Sequence, residues 1–427
     1  MKENPNPKKV NSLTHVLFGS LIGTTIEFFD FYIYANAAVL VFPQLFFPGS
    51  DPTTSVIESL ATFSIAFFAR PIGSAIFGHF GDKIGRKATL VAALLMMGIS
   101  TVCIGLLPTY QSIGIMAPLL LMLCRFGQGL GLGGEWGGAV LLAIENAPPG
   151  KRAWYGMFPQ LGAPIGLLLS GGTFLLLSDV LTEEQFFDYG WRIPFIASSL
   201  LVVVGFYIRL KITETPSFEN ALETKKQVEI PLMTILKSYR WELIFGTLAA
   251  VATFVTFYLM TVFSLSWATT HLGFSRRDFL IIQLFSILFF VAGIPISAVL
   301  ADKFGCKTIL VLISTLIVLF GFTFSFFMES GNTLMITTFV CVGMGLMGLT
   351  YGPVGTFLSE LFPTEVRYSG ASLTFNLAGI LGASFAPLIA IWLATSYGIS
   401  YVGFYLSIAA LISVLALLSI RKKEEQF

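Results

Sequence analysis

Long apolar runs follow one another along almost the whole chain, separated mostly by short polar turns. A chain that is 55% hydrophobic and only 11% charged cannot keep its apolar surface in water, so this composition requires lipid as the solvent. A helix needs about 20 apolar residues to cross the hydrocarbon core of a bilayer. The runs therefore predict an all-α membrane protein with twelve spans, approximately at 14–42, 57–78, 88–107, 114–144, 153–177, 191–210, 239–270, 279–300, 308–328, 334–358, 368–395 and 400–420.

Several classes of protein do not fit this chain. The polar tail 1–12 leads into the first run without a small-residue cleavage site, which predicts a retained span rather than a signal peptide. The four cysteines form neither a metal-site spacing nor a disulfide framework. A net charge of +1, with no basic stretch interleaved with aromatic residues, does not indicate a nucleic-acid partner. We expect a monomer in the lipid bilayer that has no cofactor, no metal and no enzymatic activity, because the sequence contains no nucleophile–base set or phosphate loop.

Two polar motifs each occur twice, about half a chain apart. The loop GHFGDKIGRK (78–87) returns in reduced form within AVLADKFGCKTIL (298–310). The shared residues include Asp82 with Asp302 and Lys87 with Lys307. ENAPPGKR (145–152) and ELFPTEVR (360–367) both read E-x-x-P-x-x-x-R. Matching charged turns between apolar segments indicate a duplicated membrane protein.

The duplication predicts two pseudo-symmetric six-helix bundles, at 1–210 and 239–427, joined by a polar linker at 211–238. The positions of Lys and Arg predict the orientation, because positively charged loops stay in the cytosol. With the N-terminus inside, 20 of the 25 Lys and Arg residues fall on the cytosolic side and only three on the other. Both termini and the linker are therefore predicted to be cytosolic.

The first half carries ionisable residues inside its predicted spans, and the second half carries none at comparable depth. Such residues cost several kcal/mol unless they are paired or face water, so each is a functional candidate. They are Glu27, Asp30, Arg70, Arg125 and Glu135.

Glu27 and Asp30 are three residues apart and share a helix face with Gly23 and Tyr34. Two neighbouring carboxylates resist being ionised together, and a nearby arginine opposes that effect. This pattern predicts proton coupling, with Asp30 favoured over Glu27; a static ion pair that fixes helix packing is the alternative. Glu135 lies among glycines in GLGGEWGGA, where a packing role fits equally well.

Two arginines are candidates for binding an anion. Arg125 has a planar fork suited to carboxylates, and Gln128 lies one turn along the same helix. The pair either binds an anionic substrate or Arg125 partners Asp30, and the two options are compatible. Arg70 precedes Pro71, so it either binds substrate or satisfies carbonyl groups freed by the proline.

Neutral polar residues inside the spans are further candidates for substrate contact. Any single one of them is more often part of a helix–helix hydrogen bond than of a binding site. The candidates are Tyr34, Gln160, Tyr258, Gln283, Tyr351 and Asn376.

The two motif loops resemble the signature of the major facilitator superfamily. Longer stretches resemble its metabolite:proton symporter family, which includes shikimate, α-ketoglutarate, citrate and proline/betaine carriers. These stretches are TTIEFFDFYIY (24–34), FFARPIGSAIFGHFGDKIGRK (67–87), RFGQGLGLGGEWGGA (125–139), PQLGAPIG (159–166), GWRIPF (190–195) and ELFPTEVRYSGAS (360–372). The resemblance implies alternating access around a midplane site. It also implies an acid on span one facing an arginine on span four, positions occupied here by Asp30 and Arg125.

The resemblance further implies that the motif loops form a cytosolic gate whose ionic contacts break when the carrier opens inward. Asp82 is expected to lie against the start of span eleven. The complete set of expected gate residues is Asp82, Arg86, Glu145, Arg152, Asp302, Glu360 and Arg367. Cys306 stands where the first loop has Arg86, which predicts a weaker latch on that side.

These observations favour a proton-coupled symporter that imports a small, carboxylate-bearing metabolite across a bacterial cytoplasmic membrane. An antiporter or exporter is the first alternative, since span five is rich in Gly and Pro. A transporter-like sensor that moves nothing is the second, although buried acids near a buried arginine argue against it. The short polar tail RKKEEQF makes an osmolyte carrier with a long C-terminal extension a weaker candidate.

Overall fold

The computed structural model describes residues 13–49, 52–83, 86–211 and 231–420, and within these ranges every regular element is a helix. The side chains of 82–86 lie outside the described part. The long helices of the first half are α1 (Leu13–Leu40), α2 (Pro52–Lys83), α3 (Arg86–Leu106), α4 (Met116–Glu145), α5 (Arg152–Val180) and α6 (Ile193–Lys211). Those of the second half are α7 (Arg240–Thr270), α8 (Arg276–Phe304), α9 (Cys306–Gly321), α10 (Thr333–Glu360), α11 (Arg367–Tyr397) and α12 (Ser400–Ser419).

Each of the twelve predicted spans corresponds to one of these helices, which confirms the predicted fold class. Eleven of them are long and apolar enough to cross a membrane. The exception is α9, which has 16 residues, breaks at 322–323 and resumes as the short helix Phe324–Met328. Short helices between the spans also occur at Phe42–Phe46, Tyr110–Ile113 and Glu183–Asp188, with a 3₁₀ turn at Gly190–Arg192.

Two helices of the second half contain a π-helical turn that the apolar pattern does not reveal. In α7 it covers Leu259–Phe263, and in α11 it covers Ile380–Ser384. A π-turn adds a residue to the helix and leaves local carbonyl groups without their regular partners, and it is often found at functional sites.

The predicted duplication has a structural counterpart in two equivalent lysines. The ammonium group of Lys87, at the start of α3, donates to the carbonyl oxygen of Leu210 at 2.6 Å. The ammonium group of Lys307, at the start of α9, donates to the carbonyl oxygen of Ile420 at 2.7 Å. In each half, the repeated lysine therefore ties the third helix to the C-terminal end of the sixth.

The last part of the predicted linker is helical. Residues Pro231–Ser238 form a helix whose Ile235 is fully buried against Leu243, Phe362 and Val366 of the second half. This segment therefore packs against α7 and α11 of the second half, and it also contacts α2 of the first half. The remainder of the predicted linker, 212–230, lies outside the described residues.

The two halves pack closely at one end of the bundle, where Glu145, Arg152, Asp302 and Glu360 lie; we call it the motif end. Here α2 and α4 contact α11, and α5 contacts α8 and α10. Gly137 of α4 faces Ser372 of α11 so closely that a Cβ atom at Gly137 would collide with the serine hydroxyl. The glycine-rich stretch of α4 thus allows the halves to close together.

Candidate functional site

A small cavity lies between the two halves, lined by α1, α5, α7, α8 and α10. Its polar lining consists of Tyr32, Asn36, Tyr258, Thr261, Gln283 and Ser286. The volume is about 50 Å³, enough for about three or four water molecules. The lining comes from the second part of α5 and the first part of α8, so the cavity lies nearer the end opposite the motif end. The cavity must become larger before a metabolite can bind in it.

Two of the predicted substrate contacts, Tyr258 and Gln283, line this cavity. The Gln283 amide donates to the carbonyl oxygen of Thr261 at 2.6 Å, inside the π-turn of α7. Asn36, which the sequence did not single out, donates to the hydroxyl of Ser170 at 2.8 Å. Tyr32 was also missed, because an aromatic residue in an aromatic-rich helix carries no distinguishing signal.

The other neutral candidates do not line the cavity in this conformation. Gln160 accepts from the indole of Trp136 at 2.9 Å and donates to the carbonyl oxygen of Tyr351 at 2.8 Å. Asn376 donates to the hydroxyl of Ser74 at 2.7 Å. The bonds from Gln160 to Tyr351 and from Asn376 to Ser74 cross from one half to the other, whereas the bond between Trp136 and Gln160 joins α4 to α5 within the first half. Both side chains therefore join helices here.

Arg70 and Arg125 lie on the same aromatic ring. Their guanidinium carbons are 4.5 Å and 4.4 Å from the ring centroid of Phe31, respectively. Arg70 also lies over Phe67 at 4.8 Å, and Arg125 lies over Tyr34 at 4.0 Å. Cation–π contacts partly replace the hydration that the buried guanidinium groups have lost.

Arg125 and Asp30 do not form a direct ion pair; polar side chains lie between them. Arg125 donates to the amide oxygen of Gln128 at 2.8 Å, and Gln128 donates to the hydroxyl of Thr101 at 2.8 Å. Thr101 lies within interaction range of the Asp30 carboxylate, which also accepts from the hydroxyl of Ser198 at 2.5 Å. Hydroxyl groups in apolar helices are common, so no sequence pattern distinguishes Thr101 or Ser198.

Arg70 has no hydrogen-bond partner among the described residues and is only 4% exposed. Arg70 therefore does not bond the carbonyl groups freed by Pro71, which was the alternative that the sequence offered. Its strongest electrostatic neighbour is Tyr258, and Tyr32 is another. Since both tyrosines line the cavity, Arg70 lies one aromatic layer behind it.

A second group of buried charges lies between the middle of the bundle and the motif end. Arg209 of α6 forms an ion pair with Glu135 of α4, and both side chains are almost completely buried. Glu27 of α1 lies within electrostatic range of Arg209 and Arg70. Arg209 lies at the end of the predicted span 191–210, and the sequence analysis did not select it as a buried charge. Packing against α1, α3 and α4 buries it.

At the motif end, Asp302 caps a helix of the other half. Its two carboxylate oxygens accept from the backbone N–H groups of Ala153 and Trp154 at 2.8 Å and 3.0 Å, at the start of α5. Arg152 and Glu360 approach to 3.9 Å with both side chains substantially exposed.

The remaining predicted gate residues are Arg367, Glu145, Asp82 and Arg86. The guanidinium of Arg367 donates to the carbonyl oxygen of Phe362 at 3.0 Å, within its own half. Glu145 ends α4 at the motif end. The side chains of Asp82 and Arg86 lie outside the described residues. The prediction that the loop with Cys306 forms a weaker latch than the loop with Arg86 therefore stays a prediction.

Ionic contact also joins the halves at the opposite end. Arg277, at the start of α8, lies 3.2 Å from Asp179, at the end of α5. Contacts between the halves therefore occur at both ends of the bundle, on either side of the cavity.

A model of the Major Facilitator Superfamily matches residues 20–380. The chain belongs to this superfamily. It is 57% identical over 422 residues to the inner membrane metabolite transport protein YhjE of Escherichia coli (strain K12), covering 98% of this chain and 96% of that protein. It is 35% identical to the shikimate transporter of the same strain, covering 95% of this chain and 94% of that protein.

Solved structures agree with this assignment at the level of the fold. The proton:xylose symporter XylE bound to 6-bromo-6-deoxy-D-glucose has a TM-score of 0.75 at 18% identity, covering 95% of this chain and 94% of that one. The resemblance drawn from the motifs is thus confirmed. The protein is an integral membrane transporter of metabolites and not an enzyme.

Proposed function

We propose that this superfamily transporter is a proton-coupled symporter that imports a small polar metabolite bearing a carboxylate. Transport proceeds by alternating access across the bacterial cytoplasmic membrane, with both termini and the motif end in the cytosol. The distribution of Lys and Arg supports this orientation. The structure then corresponds to a state closed on the cytosolic side.

Arg70 is the observation that carries this proposal. Among the described residues the buried guanidinium group of Arg70 has no hydrogen-bond partner, and its Nε–H is fully buried, so the charged group lacks the bonds that it would make to water. A carboxylate is the partner whose geometry matches its planar fork. Tyr32 and Tyr258 separate Arg70 from the cavity, so rotation of these side chains would let a substrate carboxylate reach it.

The neutral lining of the cavity suits the remainder of such a metabolite. The amide groups of Asn36 and Gln283 and the hydroxyl groups of Tyr32 and Tyr258 can bind hydroxyl or carbonyl groups. The relative named as a shikimate transporter has a cargo of this chemistry, a hydroxylated carboxylate. Buried acids on α1 supply groups that can carry a proton.

Transport by purified protein in liposomes tests this function. Shikimate, proline, glycine betaine and xylose are offered outside, and a pH-sensitive dye reports the lumen. Symport requires that uptake of a carboxylate acidify the lumen. Uptake of substrate without proton flux would refute symport, and proton flux in the opposite direction would indicate an antiporter.

The role of Arg70 is tested separately. Arg70→Gln should lose uptake, and Arg70→Lys should raise the apparent KM because a point charge replaces the fork. Arg240→Gln is the matched control, since Arg240 is exposed. Uptake by Arg70→Gln equal to that of the control would exclude Arg70 from carboxylate binding.

A further inference from the structure

The described part of the first half buries three carboxyl groups and three guanidinium groups, and that of the second half buries none. The carboxyl groups belong to Glu27, Asp30 and Glu135, and the guanidinium groups to Arg70, Arg125 and Arg209. If all six are ionised, their charges sum to zero. A substrate carboxylate would bring the sum to −1, and an uncompensated charge in a low-dielectric interior is costly. One added proton restores neutrality.

Two of the three carboxyl groups have partners that fit the ionised form. Glu135 forms an ion pair with Arg209. Asp30 accepts from Ser198 at 2.5 Å and has Thr101 nearby. Glu27 differs, because among the described residues its carboxyl group has neither a hydrogen bond nor an ion pair within 4.0 Å, and its side chain is only 1% exposed.

Arg209 lies close to Glu27, but its guanidinium group already bonds other partners. It lies against Gly23, one turn before Glu27, where an added Cβ atom would be 3.0 Å from a guanidinium nitrogen. It pairs with Glu135 and donates to the carbonyl oxygen of Leu90 at 2.5 Å. No ion pair within 4.0 Å joins Glu27 to Arg209 or Arg70 in the described structure. A buried carboxyl group in this setting fits its protonated form best.

We propose that Glu27 carries the transported proton, and that one proton accompanies each substrate molecule that bears a single negative charge. The inference rests on the proposed function, in which the substrate carboxylate binds Arg70. With Glu27 protonated, the buried charges sum to +1 and attract an anion; with the anion bound, they sum to zero. Asp30 then serves as a hydrogen-bonded link to Arg125 rather than as the proton carrier.

The position of this group provides a route for proton release. Glu27 faces Arg209, Arg70 and Asp30 within the first half, and Tyr351 of α10 from the second. Tyr368 of α11 faces Arg209 and donates its hydroxyl to the carbonyl oxygen of Gly134. This bond joins α11 to α4 and must break when the motif end opens. Opening would therefore bring water to the Arg209 cluster, where hydration favours the charged form of Glu27.

Infrared spectroscopy tests the assignment without any substrate. Wild-type protein in liposomes near neutral pH should show the carbonyl stretch of a protonated carboxylic acid in a water-poor environment. Glu27→Gln should remove this band, whereas Asp30→Asn and Glu135→Gln should keep it. Absence of the band in wild-type protein, or its loss in Asp30→Asn but not in Glu27→Gln, would overturn the proposal. If Glu27→Gln does not fold, Glu27→Asp should shift the band instead, and an unshifted band counts against Glu27.

Proton flux with shikimate as the probe provides the second measurement. For electroneutral coupling of one proton to one monoanion, a pH gradient of about one unit supports about tenfold accumulation. Glu27→Gln should reduce accumulation to about onefold and lose lumen acidification, while shikimate exchange remains measurable. Tenfold accumulation by this variant would contradict the inference. If wild-type protein transports shikimate without protons, the proposed function fails; if protons move but the band is independent of Glu27, only this inference fails.

Discussion

Removing the carboxylate of Asp302 should open the motif end more often. Asp302 belongs to the second half and accepts two hydrogen bonds, at 2.8 Å and 3.0 Å, from the first turn of α5 in the first half. Loss of a helix N-cap costs about 0.5–2 kcal/mol, and the negative charge near a helix N-terminus adds about 0.3–1 kcal/mol. Because the contact exists only while the halves are closed, Asp302→Ala should shift the equilibrium towards the open state by about 1–2 kcal/mol, or roughly 5- to 30-fold.

Labelling of a buried cysteine measures this shift. In a background without the four native cysteines, Thr356→Cys places a thiol at a position that is only 1% exposed, between α10 and α5. When opening and closing are fast relative to modification, the maleimide labelling rate follows the open population. The rate should increase from wild type through Asp302→Asn, which keeps one acceptor oxygen, to Asp302→Ala.

The matched control is Asp278→Ala on the same helix. Asp278 lies at the opposite end of α8, where its carboxylate accepts from Ser275 at 2.6 Å within the same half. Its replacement should leave labelling at position 356 unchanged. Equal labelling rates in Asp302→Ala and wild type, with both proteins folded, would refute a latch at Asp302. Arg152→Ala is expected to have a smaller effect, because an exposed ion pair at 3.9 Å contributes only about 0.2–1 kcal/mol.

Two further changes test a buried hydrogen bond between α4 and α5 and an ion pair between the halves. Trp136→Phe should keep the stacking on Phe375, at 3.6 Å between ring centroids, but lose the hydrogen bond to Gln160; it should cost about 1–3 kcal/mol, measured as a lower Tm, and an unchanged Tm would contradict it. Charge reversal at Arg277→Asp should increase labelling of a cysteine placed in the cavity, and adding Asp179→Arg should restore the wild-type rate. Failure of the double variant to restore it would show that this pair does not hold the opposite end closed.

The sequence predicted the helices well because lipid leaves a chain few choices. Backbone groups in a bilayer must bond within their own segment, so each apolar run becomes a helix. The π-turn at Leu259–Phe263 escaped prediction, since its residues are as apolar as those of a regular helix. The break in α9 was not predicted either, because the residues around it are also apolar. Both depend on how neighbouring helices pack rather than on local composition.

The candidate site was only partly predictable. Buried charges such as Arg125 and Glu135 stood out, because any charge in an apolar run is costly and rare. Thr101, Ser198 and Asn36 gave no such signal, since neutral polar groups are common in membrane helices. Arg209 was not selected, because it lies at the end of its predicted span. Its burial comes from helices distant in sequence.

The sequence by itself determined that the chain folds in lipid, how many helices it forms, that its motifs are duplicated and which residues carry five of the six buried charges, since each follows from composition or spacing along the chain. Only the tertiary structure decided how those charges are shared. It separated Asp30 from Arg125 by Gln128 and Thr101, paired Glu135 with Arg209 and gave Arg70 no hydrogen-bond partner within the described part of the chain. The physical reason is that electrostatic and hydrogen-bond energies depend on distances of a few ångströms between helices, and those distances exist only after the bundle has packed.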